Sequence, residues 1–315
     1  MKTEKKENFL YHYTSAEGLI GIIANSCFWA SKHNFMNDPM EIKYVDDFIY
    51  STTRFLGFDK QLKKYRTTIT PDKFTPDDSE LSFSAKKTLL DYLFNTESEW
   101  PHEIDHYFIV SFSTISDSLS LWERYANQGG YILAFRKDLL MAELSKAISK
   151  LKKHTKLSKH RRPVKYVDSH ERMGVLLEKP IIDTLQRLRA IGEESYSGTS
   201  TEKLHEKMMA TLRSLNAHRF AIKTRTFFDE KEYRFVLSIE NSATYRSNVN
   251  FRSRDGVILP YISVELENLE CLEYVVVSPL LKESHHAEGV KMLLEKYNLE
   301  HVPVWHSNLQ YRKWN

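Results

Sequence analysis

Two spacings in the sequence are of a kind that carries chemistry. His102-Glu103-Ile104-Asp105-His106 has the His-Glu-x-x-His spacing of a zinc hydrolase, in which a helix puts both imidazoles on one face and the Glu serves as general base. Such a site needs several helical turns around the motif and a third ligand downstream. Here Pro101 stands immediately before it and a run that reads as a strand, Tyr107 to Ser113, immediately after. The segment is therefore read as a surface approach to that strand, and no metal is expected. The second spacing is in "EKEYRF", where Glu230, Glu232 and Arg234 alternate and so project to one face of a strand, with Tyr233 and Phe235 on the other. Three ionisable groups on one strand face signify either a solvated edge or a site. A fixed carboxylate next to a guanidinium suits electrostatic stabilisation of developing positive charge.

Other catalytic arrangements find no support. There is no Gly-x-Ser-x-Gly elbow around a serine and no glycine-rich phosphate loop. The two cysteines, Cys27 and Cys271, sit in apolar segments and read as core residues; two cysteines cannot form a disulfide framework and suit a reducing compartment.

The elements that must position such residues are legible in part. "FLYHYTS" reads as a short aromatic strand, followed by a helix that starts at Ser15 and turns Leu19, Ile20, Ile22 and Ile23 inward, and then by the strand "CFWAS". Asn37-Asp38-Pro39 reads as a turn leading into a helix, because Pro is comfortable in a first helical turn. Residues 57–99 are polar, helical or loop-like. "YFIVSFS", "SDSLSLWERYAN", "QGG" and "YILAF" form a strand, helix, stop and strand. Residues 137–217 have helical periodicity broken by "RRPVKYV" and "EESYSGTS", and read as a helical insertion in a single domain spanning 1–315. "TFFDEKEYRFVLSI", "GVILPYISVEL" and "LEYVVVSP" are strand-like; a helix "HAEGVKMLLEKYN" and an edge strand "VPVWHS" follow. Strands at both ends around a helical middle predict an α+β domain whose sheet joins both ends of the chain.

With 41% hydrophobic and 28% charged residues, 17 Tyr and 17 Phe, the 315-residue chain has the composition of a folded globular protein rather than a disordered one. No apolar signal region follows the basic N-terminus and no apolar run is long enough for a membrane helix, so neither secretion nor membrane insertion is expected. The net charge is only +3, but Lys146 to Lys165 holds nine Lys or Arg and no acid. That run is either a solvated helix face followed by a loop or a phosphate-contacting surface, with Lys152, Lys153, Arg161 and Arg162 as the candidates.

The strand "YHYTS", bearing His-x-Thr and leading directly into a helix, resembles the first motif of the ADP-ribosyltransferase superfamily. Jointly, "LYHYTS", "GLIGII", "FWAS", "FMNDPME", "SFST", "LWERYA", "GGYILAF", "EKEYRF" and "HSNLQYR" resemble in order the bacterial family catalogued as domain of unknown function 2971, a divergent branch of that superfamily associated with phage defence. The resemblance implies an ADP-ribosyltransferase-like split β-sheet core and NAD as substrate. His12 would bond a ribose hydroxyl, the backbone of Tyr13 would grip the nicotinamide amide and Thr14 would support His12. Tyr13 departs from the Gly found there in many members. Glu232 would hold the nicotinamide ribose and stabilise the oxocarbenium ion, with Glu230 as its helper toward the acceptor, and Arg234 would pair with Glu232 or with NAD phosphate. Ser111 and Ser113 would lie under the nicotinamide ribose. Tyr125 would stack on nicotinamide, in competition with Phe35 and Tyr44, or else form a core pair with Trp122. Asn37, Asp38 and Glu41 match the most recognisable motif of the family, or are a helix cap.

The function expected on this resemblance is NAD-dependent mono-ADP-ribosyl transfer by a cytoplasmic toxin or effector of anti-phage defence. Nucleic acid is the expected acceptor, RNA before DNA, from the basic run and the aromatic content. An antitoxin or other inhibitory protein partner is expected by analogy. The alternatives are an NAD glycohydrolase, a protein-directed transferase, a catalytically inactive nucleic-acid-binding module and, last, the zinc hydrolase.

Overall fold

The computed structural model describes residues 8–36, 41–55, 85, 88, 89, 106–126, 129–152, 157–195, 199–239, 247–254 and 256–310. They form two compact units, one of Met1–Asn37, Asp105–Val164 and Thr226–Asn315, the other of Asp38–Ile104 and Lys165–Arg225. The chain is mixed α+β, and its main sheet is mostly antiparallel.

The first unit contains that sheet. Its strands in chain order are β1 (Phe9–Thr14), β2 (Cys27–Lys32), β3 (His106–Ser113), β4 (Tyr131–Arg136), β5 (Leu157–Pro163), β8 (Glu232–Ile239), β9 (Val249–Arg254), β10 (Val257–Glu265), β11 (Leu272–Val277) and β12 (Val304–His306); β6 and β7 belong to the second unit. The order is β12-β11-β4-β1-β3-β2-β10-β9, with β8 paired to β3 and β5 to β8; among the described strands of this sheet only β11 and β12 run parallel. Both ends of the chain contribute, as expected. Ser15 caps α1 (Ala16–Asn25) by accepting from the Gly18 amide, and Ser26 closes it in the left-handed region at φ 47°. Leu19, Ile22 and Ile23 are buried, but Ile20 is 52% exposed, contrary to its expected inward position, because it stands one residue off their stripe.

The sheet forks at β3. β8 pairs with one edge of β3 along its whole length, from His106↔Ile239 to Ser113↔Glu232. The other edge is shared. β2 takes its start, at Ser31↔Ile109 and Lys32↔Phe108, and β1 takes its end, at Tyr11↔Ser113. Between these contacts β1 and β2 diverge, leaving Val110 to Phe112 at the apex.

Period-two alternation sorts the side chains onto two faces. One face packs Leu10, Phe28, Phe112, Phe135, Phe235 and Leu237 against α1, α4 (Lys137–Lys152) and α7 (Ser284–Lys296). On the other, Tyr11, Tyr13, Ile132 and Ala134 pack against Leu121 and Trp122 of α3 (Leu119–Tyr125). Cys27 and Cys271 are buried free thiols, and burial pushes the Cys271 thiol up to about 12. The turn into β4 requires both glycines. Gly129 has φ 116°, and a Cβ on Gly130 would meet the Thr14 carbonyl oxygen at 2.4 Å.

The region expected as one helical insertion is divided. α4 and β5 belong to the first unit, whereas α5 (His170–Ser195) and α6 (Thr201–Arg219) belong to the second. In place of a loop at Arg161-Arg162-Pro163, the end of the basic run is strand β5, paired through Arg161↔Phe235, Arg162↔Arg234 and Pro163↔Tyr233. Pro163 is tolerated because it is the last residue of a strand whose far edge has no partner among the described residues. The second unit packs α2 (Glu41–Phe55), α5, α6 and the pair β6 (Lys165–Val167) and β7 (Ile222–Thr224) around Val45, Ile49, Met173, Leu177, Ile181 and Leu212. Asp46 and Arg219 form a bidentate buried ion pair within it.

Candidate functional site

β8 is buried at every residue, so the charges it carries must find partners. Glu232 and Arg234 are 6% and 2% exposed and pair two residues apart on the same strand face, Arg234 Nε donating to Glu232 Oε1 at 2.8 Å and a terminal guanidinium nitrogen to Oε2 at 2.9 Å. Ser111 Oγ adds a third donor to Oε1 at 2.6 Å. Ser111 stands opposite Arg234, and Ser113 opposite Glu232, so the register of β3 and β8 puts all four on one face. The carboxylate is thus fixed by charge-assisted bonds in a dry environment, where electrostatic interactions are strongest.

His12 meets this group at the fork. Its Nδ1 lies 3.0 Å from the Ser111 carbonyl oxygen, and its ring packs edge-on to Phe28 at 5.5 Å and against Phe112 at 5.6 Å. A carbonyl only accepts, so Nδ1 carries the proton and Nε2 is the acceptor of the neutral ring. Burial, helped by the Arg252 charge and opposed by the Ser111 bond, lowers the pKa of His12 to about 4, so the ring is neutral near pH 7. His12 therefore joins Glu232 through Ser111: its backbone carbonyl takes the imidazole and its hydroxyl the carboxylate. The imidazole itself packs with the Phe28 and Phe112 rings, on the face opposite to Glu232.

Glu230 reaches the same region by a different route from the one expected. The 3-10 turn Arg225–Glu230 replaces the start of the anticipated strand, and Lys231, at φ 42°, breaks the alternation before β8 begins. Ser113 Oγ donates to the Glu230 carbonyl oxygen at 2.7 Å, and the Thr114 amide to that of Lys231 at 3.0 Å, pinning the corner to β3. The Glu230 carboxylate, 3% exposed, accepts from Tyr125 Oη at 2.8 Å and from Arg124 at 3.1 Å. Burial and then the Glu230 carboxylate push the Tyr125 phenol far up. Ser113 thus supports Glu230 while Ser111 supports Glu232, and Tyr125 is tied to Glu230 through its hydroxyl.

The remaining expected residues are placed as follows. Tyr13 pairs with Ile132 through its backbone, and its hydroxyl donates to the Ile115 carbonyl at 3.2 Å and accepts from the Ser118 amide at 2.9 Å. The Thr14 hydroxyl lies against Gly18 in the first turn of α1. Trp122 packs edge-on to Tyr13 at 5.3 Å and donates to Asp117, and Tyr125 packs against the same apolar cluster. Phe35 is 39% exposed, and Tyr44 belongs to the second unit, against His170. Asn37, Asp38 and Lys153 lie outside the described residues. So do the side chains of Glu41, Lys152, Arg161 and Arg162, and residues 102–105; His106 opens β3 in an extended conformation. Two cations of the basic run are neutralised from outside it, Lys146 by Glu143 and Glu267, and Lys150 by Glu267.

Sequence reasoning missed Arg124 and Asp117. Arg124 is a single cation on a short helix and has no pattern to mark it. Asp117, at φ 54°, accepts from Trp122 Nε1, Ser307 Oγ and the Asn308 amide, which explains what the tail motif "HSN" does: it fastens residues 307–309 to α3. A concavity of about 250 Å³ lined by Arg136, Glu270, Tyr274, His301 and Trp305 lies at the β11–β12 end of the sheet and includes none of these residues.

Among the described residues no helix is long and apolar enough to cross a membrane. No curated protein and no solved structure matches the chain. The model of the family described as "Protein of unknown function (DUF2971)" matches residues 121–235, a stretch that runs from α3 to β8 and holds Arg124, Tyr125, Glu230, Glu232 and Arg234. That match, over little more than a third of the chain, is to the family its sequence resembles.

Proposed function

We propose that this chain is an NAD-dependent mono-ADP-ribosyltransferase with Glu232 as its catalytic carboxylate. The observation that carries the reading is the buried Glu232, gripped by Arg234 and Ser111 beside a sheet fork that holds a neutral His12. The fork is the feature that favours an ADP-ribosyltransferase-like split core. The group set fits a dinucleotide. A carboxylate suits a ribose hydroxyl, and its negative charge suits the positive charge that grows on the ribose.

In the transfer, the bond between ribose C1′ and the nicotinamide nitrogen breaks, its electron pair leaves with neutral nicotinamide, and the acceptor's nucleophile bonds to C1′ and loses its proton. Glu232 holds the 2′-hydroxyl and offsets the oxocarbenium charge as it develops. Arg234 and Ser111 fix the carboxylate in advance, so little reorganisation is needed during the reaction. His12, expected to bond a ribose hydroxyl, lies on the other face of the sheet and contributes through Ser111, whose carbonyl it engages while the Ser111 hydroxyl holds Glu232. The acceptor is a nucleic acid, RNA before DNA, with Lys152, Lys153, Arg161 and Arg162 as phosphate contacts, since Lys146 and Lys150 are already paired. The biological setting is a cytoplasmic toxin of anti-phage defence held in check by an inhibitory protein.

One observation favours a second reading. The Glu230 carboxylate, expected to work on the acceptor, is engaged by Tyr125 and Arg124, which suits an NAD glycohydrolase in which water takes the place of the acceptor. Adding NAD labelled in its adenine ring to a bacterial lysate, then separating protein, RNA and DNA, tests the proposal. Label in RNA with wild-type protein and none with Glu232→Gln is the expected result. Free labelled ADP-ribose and no labelled macromolecule supports the glycohydrolase. Unchanged NAD contradicts both readings.

A further inference from the structure

β9 and β10 extend the sheet away from the fork, and alternation carries the face of Glu232 across to them. Ile109 shares that face with Ser111; Ser31 stands opposite Ile109, and Tyr261 opposite Ser31. Asn250 stands opposite Tyr261, so Arg252, two residues on, faces the same way. Its contacts agree. A terminal guanidinium nitrogen donates to Ser31 Oγ at 3.0 Å, and the guanidinium carbon lies 5.2 Å from the Trp29 ring centroid, with the Tyr261 ring 5.1 Å from that of Trp29.

Arg252 is short of acceptors. Its Nε is buried and has no hydrogen-bond partner among the described residues. Burial and then the neighbouring Arg254 cation lower its pKa. A buried N–H donor without a partner is costly, and a planar guanidinium with an open Nε edge matches an oxyanion. The side chain crosses β10 to reach Ser31 on β2. From there one strand spacing and two residues along β3 lead to Ser111, a separation of roughly 8 Å, comparable to the span of one ribose 5′-phosphate.

We propose that Arg252 is the receptor for a phosphate oxyanion, with Ser31 orienting its guanidinium and Trp29 and Tyr261 forming an aromatic wall beside it. The anion it takes is the diphosphate of the dinucleotide that Glu232 acts on. The identity of that anion rests on the reading of the site as NAD-dependent; the anion site itself does not.

Calorimetric titration of the full chain with inorganic pyrophosphate, ADP-ribose and NAD tests the inference, using wild type, Arg252→Met, Arg252→Lys and Glu232→Gln. Wild type should bind pyrophosphate and ADP-ribose, and Glu232→Gln should bind pyrophosphate as wild type does. Arg252→Met should weaken both at least tenfold, and Arg252→Lys, which keeps the charge but loses the planar fork, should fall between. Nicotinamide release from NAD by Arg252→Met should show a raised KM. Wild-type-like anion binding by both Arg252 variants would overturn the inference, as would failure of wild type to bind either anion, and the function reading would survive if nicotinamide were still released. Pyrophosphate binding that depends on Arg252, with no NAD turnover, would uphold the anion site and sink the dinucleotide reading. A circular-dichroism spectrum matching wild type qualifies each variant, with Arg252→Lys, the smaller change, deciding the matter if Arg252→Met fails to fold.

Discussion

Removing Arg234 strands Glu232 as a buried charge, and the cost follows from the geometry. Glu232 and Arg234 are 6% and 2% exposed, and their contact is bidentate at 2.8 and 2.9 Å. Breaking such a pair from one side costs about 3–5 kcal/mol, whereas replacing both members by neutral groups of similar volume is often close to neutral. Arg234→Met alone should therefore destabilise the first unit by about 3–5 kcal/mol, and Arg234→Met with Glu232→Gln by far less than the sum of the single changes, a coupling of about 2 kcal/mol or more. Because the chain has two units, a single unfolding midpoint does not isolate this effect. Hydrogen exchange of the β3 and β8 amides under graded urea does, since those amides report the sheet that holds the pair. Additive single costs, each below about 1 kcal/mol, would refute the assignment of Glu232 and Arg234 as a mutually dependent buried pair.

Three further predictions follow from other contacts. The pKa of His12 is lowered from 6.5 to about 4, so the unfolded chain binds the proton first. Stability from this group is intact above pH 6.5 and is lost as pH falls toward 4, by at most about 3 kcal/mol, and a titration by NMR should find the His12 ring neutral at pH 6 while His12→Gln flattens that part of the pH–stability curve. Tyr125→Phe removes a hydroxyl donor to the buried Glu230 and should cost about 1.5–3 kcal/mol, read from exchange of the same β3 and β8 amides; a change below about 0.5 kcal/mol would contradict a charge-assisted bond there. Gly130→Ala drives a methyl to 2.4 Å from the Thr14 carbonyl oxygen and should cost over about 1 kcal/mol, read as lost exchange protection at the β1–β4 ladder.

Much of the fold was legible because its signals are local. β1, β3 and β4 are aromatic or β-branched runs with clear stops, and α1 announces itself by Ser15 and its apolar stripe. The parts that were not legible depend on tertiary context. β5 is drawn from a run of Lys, His and Arg, poor strand formers that become a strand through pairing with β8. Residues 225–230 carry Thr and two Phe, residue types common in strands, but they form a 3-10 turn that the left-handed Lys231 separates from β8. For the candidate site, Glu232, Arg234 and Ser111 were legible because alternation fixes which side chains share a face. Arg124 and Arg252 were not, because a lone arginine carries no period and acquires its meaning only from the strand or helix that register places beside it.

The most direct test of the central claim is nicotinamide release from NAD in the presence of bacterial RNA, comparing wild type with Glu232→Gln under conditions in which hydrogen exchange shows β8 folded in both. The account predicts release by wild type and a fall of at least a hundredfold with Glu232→Gln, the scale of losing one preorganised electrostatic group. Equal release by the two proteins, or none by wild type, would contradict it.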